Sequence, residues 1–277
     1  GFRALRNYLQ DTYGAGWEKR VIATGTEGSR LEELSVRHGF HFLPFPKDIG
    51  GRFTALSPIG LFPVAVAGLD IQKIARGAAE METRLKDDSS VENPALVYAM
   101  ARNALYRKGY RMEMLAFFEP RWFRFSKWWI QLFGESEGKD GKGLYPIAGS
   151  YSEDLHSIGQ FVQDGTHCLF ETFLNVREQD ASLVLHPDEV DDAFGYLDGM
   201  DFHAINRAAF EATVEAHSQV LPCFEVSVAA LNEYSFGQLF YFFEFSCYLS
   251  GLMLGVNPFD QPGVEAYKIR MFKKLGK

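Results

Sequence analysis

The sequence predicts an α/β protein with mostly parallel sheets, because apolar segments of strand length alternate with segments of helical periodicity in two separate passes. The segments that we interpret as strands are residues 20–24, 40–46, 111–118 and 169–176. The segments that we interpret as helices are residues 30–38, 71–86, 93–107, 123–133 and 151–163. Strands joined through helices in this order are typical of parallel α/β units.

The chain opens on a helical pattern, since Phe2, Leu5 and Leu9 recur at helical spacing. No Ser, Thr, Asp or Asn precedes this pattern to cap a helix. The first helix is therefore predicted to begin upstream, and we expect the chain to be a piece of a longer protein.

Capping and chain-breaking residues set the predicted bounds of several elements. Ser57 and Pro58 are suited to the cap and first turn of a helix. Gly39 and Gly109 are suited to end the helices that precede them, and Pro120 ends the strand at 111–118.

After residue 176 the sequence predicts a mostly helical remainder with one further short strand at 183–185. Residues 236–256 contain a single charge, Glu244, and therefore imitate a membrane span. Polar residues such as Gln238 and Ser246 interrupt this segment, and no flanking basic cluster anchors it. We interpret it as a helix buried inside the protein.

Composition excludes several classes of function. The net charge of -8 and the pI near 5.4 argue against a nucleic-acid partner, because phosphates require a basic surface. Cys168, Cys223 and Cys247 lack CxxC spacing, which indicates reduced, buried thiols in a cytoplasmic protein. Neither a zinc-ligand spacing nor a dinucleotide-binding glycine loop is evident, so no metal or cofactor is predicted.

The strongest candidates for chemistry lie in the segment QLFGESEGK, residues 131–139. Gln131 and Glu135 are four residues apart, so one helix face presents both at its C-terminal end. Four glycines would let the backbone approach a ligand closely: Gly134, Gly138, Gly141 and Gly143. An ordinary glutamate is ionised at neutral pH, which is the form that a general base requires. The alternative is a solvated acid at a helix end.

His156 is a candidate proton-transfer group near the predicted start of a helix that Ser152 or Asp154 caps. The positive end of such a helix disfavours imidazolium, which would keep the ring neutral and able to transfer a proton. The alternative is a partly buried structural histidine.

Two more segments carry groups suited to an oxygen-rich ligand. Arg52 follows the flexible pair Gly50-Gly51, and its guanidinium can stabilise a developing oxyanion. The compact segment NPFDQPGVEAYK, residues 257–268, contributes Gln261 and Lys268 as donors. The alternatives are a surface arginine paired with acids and a rigid surface loop.

Taken together, these segments resemble the glucose-6-phosphate isomerase (phosphoglucose isomerase) family of the bacterial type. The matching segments are GGRF at 50–53, QLFGESEGK at 131–139, DLHSIGQ with QDG within 154–165, and NPFDQPGVEAYK at 257–268. Their order and spacing agree with the family over essentially the whole chain. The second and fourth segments are highly specific.

The resemblance implies two sugar isomerase (SIS) domains, each a three-layer α/β/α sandwich around a mostly parallel sheet. We assign residues 1–92 to the remainder of the first domain and residues 93–277 to the second domain with a C-terminal helical arm. The implied reaction is the reversible conversion of glucose 6-phosphate to fructose 6-phosphate. It needs neither cofactor nor metal, and the family works as a homodimer in the cytoplasm without a nucleic-acid or membrane partner.

The resemblance also assigns roles to individual residues. Glu135 would carry a proton between C2 and C1 through a cis-enediolate, His156 would open the sugar ring from across the dimer interface, and Lys268 would assist near the ring oxygen. The other assigned residues are Arg52, which would stabilise the enediolate, and the substrate contacts Gln131, Gln261 and Gly51.

One departure from the family concerns its phosphate-binding loop, an SKSGTT-like turn that should lie just before residue 1. Remote binding energy normally helps to position the reacting carbon, so we expect little activity from the chain alone. Two other functions stay open: a non-catalytic SIS-type module that binds sugar phosphates, and a relaxed-specificity isomerase that also accepts mannose 6-phosphate.

Overall fold

The computed structural model of the protein describes residues 2–86, 90–187 and 192–276. These residues form two compact units, Gly1–Gln72 and Lys73–Lys277. The α-helices of the described residues are α1 (Phe2–Tyr13), α2 (Arg30–His38), α3 (Pro58–Val66), α4 (Ile71–Leu85), α5 (Pro94–Arg107), α6 (Phe123–Glu137), α7 (Gly159–Asp164), α8 (Phe202–Ser218), α9 (Glu233–Leu254) and α10 (Glu265–Lys274). The strands are β1 (Ile22–Gly25), β2 (His41–Pro44), β3 (Met112–Phe117), β4 (Tyr145–Ser150), β5 (Leu169–Glu178) and β6 (Cys223–Ala230).

The first unit contains the predicted strand–helix–strand pass. Strands β1 and β2 pair in parallel, with α2 between them in the chain. The Ser29 side chain accepts a hydrogen bond from the amide of Glu32 at the start of α2, and Gly39 ends α2 with a φ of 72°. Ser57 caps α3 through the amide of Ile59, as the sequence predicts.

The second unit contains a sheet of four parallel strands in the order β4-β3-β5-β6. Two of these strands, β4 and β6, are missing from the sequence-based prediction. Strand β4 has Pro146 at its second position, which obscures the pattern, yet an edge strand tolerates proline because one side of it makes no ladder hydrogen bonds. Strand β6 lies in the part of the chain that the sequence predicts to be mostly helical, although its Val226 and Val228 alternate as strand residues do.

The predicted strand at 183–185 is wrong. Val184 forms only an isolated antiparallel bridge with Asp201.

Helices cover both faces of the four-stranded sheet and confirm a three-layer α/β/α arrangement. On one face, Phe173 of β5 packs edge-on against Phe210 of α8 with ring centroids 5.7 Å apart, and α7 joins the same apolar cluster. On the other face, aromatic rings of α5, α6 and α9 contact one another: Tyr98, Phe133 and Phe243. The core of this unit therefore lies on both sides of the sheet.

The predicted helix at 151–163 is wrong in its first half. A short 3-10 turn at Glu153–His156 precedes α7, which begins only at Gly159. The Asp154 carboxylate accepts hydrogen bonds from the Ser150 amide at 2.7 Å and the Ser157 hydroxyl at 3.2 Å. Such local side-chain bonds compete with helical hydrogen bonds, which explains the interruption.

Helix α9 confirms the buried helix predicted for residues 236–256. It contacts α4 at two glycines, because a Cβ built on Gly77 would lie 2.1 Å from the carbonyl oxygen of Tyr234, and one on Gly237 would lie 1.9 Å from that of Ile74. Within the described residues, no helix combines the length and apolar character that crossing a membrane requires.

Cysteine burial was predicted correctly only for Cys247, because the other two cysteines are partly exposed. All three cysteines are free.

Candidate functional site

Glu135 lies in the last turn of α6, which continues through Gly134 to Glu137 rather than ending at Phe133. Its carboxylate Oε1 lies 3.3 Å from the amide Nε2 of Gln131, one turn earlier. The two side chains therefore share a helix face, as their spacing predicts. Glu135 is half-buried and Gln131 is exposed, so a ligand could reach both side chains.

A buried ion network holds this end of α6 in place. Glu137 accepts a hydrogen bond from Arg102 Nη2 of α5 at 2.7 Å, and Arg102 also pairs with Glu113 of β3. All three side chains are almost fully buried. The Arg102 guanidinium also lies 3.9 Å from the ring centroid of Phe133, one turn before Glu137. Burial opposes the charge of Arg102, but the charge and hydrogen bond of Glu137 and the nearby Tyr98 together outweigh burial and raise the pKa of Arg102.

Sequence reasoning missed this network. Its signal was a charged residue in the interior of each apolar segment, at Arg102 and Glu113, which is unusual for segments that become buried. Tyr98 and Thr172 also donate hydrogen bonds to Glu113, the second at 2.7 Å. The network therefore joins α5, α6, β3 and β5.

The local backbone requires glycine at several positions after Glu135. A Cβ on Gly138 would lie 2.7 Å from the carbonyl oxygen of Gly134, and one on Gly143 would lie 2.7 Å from that of Glu137. Gly141 and Gly143 also have positive φ angles of 69° and 100°. Backbone contacts and positive φ angles thus explain why these positions are glycine, whereas the sequence-based explanation was the close approach of a ligand.

Lys139 connects the end of α6 to the segment at 257–260. Its ammonium Nζ lies 2.9 Å from Asp260 Oδ1 and 3.1 Å from the carbonyl oxygen of Ser136. It also donates a hydrogen bond to the carbonyl oxygen of Asn257. Two of the predicted site segments, 131–139 and 257–268, are therefore in direct contact.

Lys268 and Gln261 follow that contact along the chain. Gln261 is half-buried and precedes a 3-10 turn at Pro262–Val264, and Lys268 lies in α10. Lys268 Nζ lies 2.8 Å from Glu265 Oε1. That hydrogen bond raises the pKa of Lys268, and the negative charge of Glu135 contributes in the same direction. Lys268 therefore lies within the electrostatic reach of Glu135.

His156 is not near Glu135 within the chain. It ends the exposed 3-10 turn that follows the carboxyl end of β4. Glu135 instead lies beside the amino end of β4, because a Cβ on the neighbouring Gly134 would lie 3.5 Å from Pro146 Cγ. A strand of this length spans roughly 17 Å. The predicted helix start at His156 is also absent, so the helix-dipole argument for a neutral ring does not apply.

Gly51 and Arg52 belong to the first unit and are described separately from the residues above. They form a short 3-10 turn, Gly51–Phe53. The Thr54 hydroxyl donates to the carbonyl oxygen of Gly51 at 2.7 Å, which fixes the turn. Gly51 is exposed and the Arg52 side chain is buried, with its guanidinium 5.1 Å from the ring centroid of Phe53.

A second buried polar cluster lies between the sheet and α8, and the sequence did not predict it. The Glu171 carboxylate accepts a hydrogen bond from Tyr151 and lies 2.7 Å from His217 Nδ1. Burial, together with the nearby carboxylate of Glu171, raises the pKa of Tyr151 and raises that of Cys223 to about 11. These four side chains tie β5 and β6 to the segment that precedes His156.

Comparisons with known proteins place these residues in a family context. The sequence matches the family described as "Phosphoglucose isomerase" over residues 3–276. It is 47% identical over 280 residues to the glucose-6-phosphate isomerases of Bacillus cytotoxicus and Bacillus thuringiensis strain Al Hakam. These alignments cover all of the chain but only 62% of each relative.

Two crystal structures share the fold. One is a hypothetical protein of Thermus thermophilus, with a TM-score of 0.94 and 25% identity over 100% of this chain and 68% of that chain. The other is a glucose-6-phosphate isomerase of Chlamydia trachomatis, with a TM-score of 0.82 and 19% identity over 99% of this chain and 56% of that chain. At 19% identity the second likeness concerns the fold alone.

Proposed function

Because the chain belongs to the phosphoglucose isomerase family, we propose a function for a protein that contains this chain and is as long as its curated relatives. We propose that this protein interconverts glucose 6-phosphate and fructose 6-phosphate. This protein is called the full-length protein below. The chain spans 62% of those relatives, so the proposal concerns the full-length protein, and the chain alone is expected to have little activity. The reaction needs no cofactor, because a base and a second acid/base group suffice to move a proton between adjacent carbons.

Glu135 is the proposed general base. The carboxylate would take a proton from C2 of the open-chain sugar and return it to C1 through a cis-enediolate. Its half-buried position at the end of α6 and its contact with Gln131 support this role, since the side chain has a defined direction. The cation of Lys268, whose pKa responds to the charge of Glu135, would assist near the ring oxygen.

His156 is proposed to open the sugar ring from the other subunit of a homodimer. The support is the location of His156 beyond the carboxyl end of β4, whereas Glu135 lies beside the amino end. One chain would then provide the base of one site and the imidazole of the other. The exposed position of His156 is compatible with this arrangement.

The remaining residues are proposed to bind and polarise the substrate. Arg52 would stabilise the negative charge of the enediolate, because a guanidinium keeps its charge at every relevant pH. Gln131, Gln261 and Gly51 would contact substrate oxygens. We also propose residues 1–92 and 93–277 as the SIS domains and the cytoplasm as the location, which the three free cysteines support.

Replacing Glu135 with glutamine in the full-length protein tests the proposal. The amide keeps the shape of the side chain but cannot accept the C2 proton, so we expect turnover of fructose 6-phosphate to fall by about 10²- to 10⁴-fold. Glu178→Gln, at an exposed end of β5, is the control and should retain turnover within about 3-fold, as exposed sites usually tolerate such changes.

Unchanged turnover in Glu135→Gln would refute the role of this base. Binding of the sugar phosphate without exchange of solvent hydrogen into C1 or C2 would instead favour a non-catalytic binding module. A parallel assay with mannose 6-phosphate measures how strictly the full-length protein selects its substrate.

A further inference from the structure

Lys139 makes contacts that the proposed function does not use. Its ammonium meets three oxygens from two separate segments: the carbonyl of Ser136, the carbonyl of Asn257 and the carboxylate of Asp260. Its side chain is 9% exposed, whereas that of Asp260 is 53% exposed. A lysine with so little exposure needs such partners, because an unpaired buried charge is costly.

The three contacts match the capacity of the group, since an ammonium has three donors and no acceptor. The Ser136 carbonyl lies in the last turn of α6, where helical carbonyls lack intrahelical partners. A cation at that position also interacts favourably with the negative end of the helix. Lys139 therefore provides a hydrogen-bond donor and a positive charge at the end of the helix that carries Glu135.

The other two contacts hold a segment that is itself well ordered. Asn257 Nδ2 lies 3.1 Å from Asp260 Oδ2, and the Phe259 amide donates to Asn257 Oδ1 at 3.0 Å. The ring of Phe259 stacks on that of Tyr248 in α9 with centroids 5.7 Å apart. A segment with these internal bonds moves as a unit, so fixing it at Asn257 and Asp260 also fixes the start of Gln261.

We propose that Lys139 is a positioning residue that holds the segment leading to Gln261 and Lys268 in register with Glu135. The inference rests on the proposed function, because it concerns the same site. In this role Lys139 would contact no substrate atom, because its ammonium already bonds three oxygens of the protein. Its effect is transmitted through the backbone of residues 257–261, and a displacement of about 1 Å at a reacting group can lower a rate by about 10²-fold.

Lys142 provides a matched control within the same loop. Its ammonium donates to the carbonyl oxygen of Leu254 at 3.1 Å and therefore also joins the region after α6 to the end of α9. That carbonyl lies before the segment 257–261. Replacing Lys142 removes a comparable lysine–carbonyl bond but leaves all three contacts of Lys139 intact.

The experiment compares Lys139→Met, Lys139→Arg, Lys142→Met and Asp260→Asn in the full-length protein. For Lys139→Met we expect kcat for fructose 6-phosphate to fall roughly 10- to 100-fold with KM changed less than about 3-fold. Lys139→Arg should recover part of this loss, because a guanidinium can also pair with Asp260. Lys142→Met should keep kcat within about 3-fold of the unsubstituted protein.

Hydrogen exchange provides the readout that does not depend on activity. We expect the amides of residues 257–261 to exchange about 10-fold faster or more in Lys139→Met and to be unchanged in Lys142→Met, because only the first change releases the segment. If Lys139→Met does not fold, Asp260→Asn decides, since it removes the charge of an exposed partner of Lys139 and keeps the size of the side chain. It should then show the same direction of change in exchange and in kcat.

The possible results separate the two proposals. An inactive unsubstituted protein overturns the proposed isomerase function, while the exchange rates still report whether Lys139 holds the segment. An active protein in which Lys139→Met matches Lys142→Met in kcat and in exchange overturns the positioning role. Faster exchange without any loss of kcat also overturns it, because the segment would then be held for stability alone.

Discussion

At the scale of single residues, Glu244 stands out as a partly buried acid within the mostly apolar helix α9. Its Oε1 has no hydrogen-bond partner among the side chains that the structure describes. Burial raises the pKa of Glu244 to about 8. Burial and the charge of Glu82 raise the pKa of the neighbouring Tyr241, and Glu244 contributes in the same direction. A glutamate in an unfolded chain has a pKa of about 4.3, so folding favours the protonated form of Glu244.

The sign of the resulting pH dependence follows from proton binding. The folded state holds more protons than the unfolded state between about pH 4.3 and 8, so the contribution of Glu244 to stability falls as pH rises through this range. We expect Glu244→Gln to stabilise the protein at pH 8 by roughly 1 to 4 kcal/mol and to have little effect near pH 4.

Thermal unfolding of the Glu244→Gln protein and of the unsubstituted protein across this pH range measures the effect. The exposed substitution Glu153→Gln is the control, and its difference from the unsubstituted protein should not change in this way. A Glu244→Gln difference that stays constant with pH would contradict the assignment.

At the scale of elements, the end of α6 is fixed by contacts that the sequence only partly predicts. The pairing of Gln131 with Glu135 follows from a spacing of four residues on one helix. The pairing of Glu137 with Arg102 crosses from α6 to α5, and no local pattern specifies it. Caps such as Ser57 were predictable because their hydrogen bonds are local. Tertiary contacts of the site were not, since they depend on how the layers pack.

The ion network at Arg102 has a testable consequence for stability. Arg102→Met would leave Glu113 and Glu137 buried without their cation, and breaking a buried ion pair in this way typically costs about 3–5 kcal/mol. We expect a correspondingly lower midpoint in urea unfolding of the full-length protein. Lys108→Met, just after the same helix, is the exposed control and should change stability by less than about 0.5 kcal/mol. Equal midpoints for both variants would show that the network contributes little.

At the scale of the whole molecule, the position of His156 relative to Glu135 would determine how many chains contribute to the proposed site. The two residues lie at opposite ends of β4, an edge strand that the sequence-based prediction lacked. Sequence reasoning on the residues alone therefore could not separate them, and the family resemblance provided the expectation of a shared site between subunits. The proposed homodimer with two shared sites would account for the separation of Glu135 and His156 within one chain and would be twofold symmetric.

Subunit mixing tests this arrangement in the full-length protein. Glu135→Gln and His156→Ala homodimers should each be inactive, because every site lacks one group. A hybrid dimer would contain one intact site, built from the unsubstituted Glu135 of one chain and the unsubstituted His156 of the other. Random exchange of equal amounts should thus recover about a quarter of the original activity. A mixture that exchanges subunits yet stays inactive would show that each site uses its own histidine.

The crossing of α4 and α9 at Gly77 and Gly237 constrains how this protein can change. Each backbone carbonyl occupies the space that a methyl group would need on the opposing helix, at 2.1 Å and 1.9 Å. Any other amino acid would push the helices apart by about 1 Å or more before ordinary packing distances return. Glycine is therefore required at these two positions, unless a substitution moves α9 together with the aromatic rings that it carries.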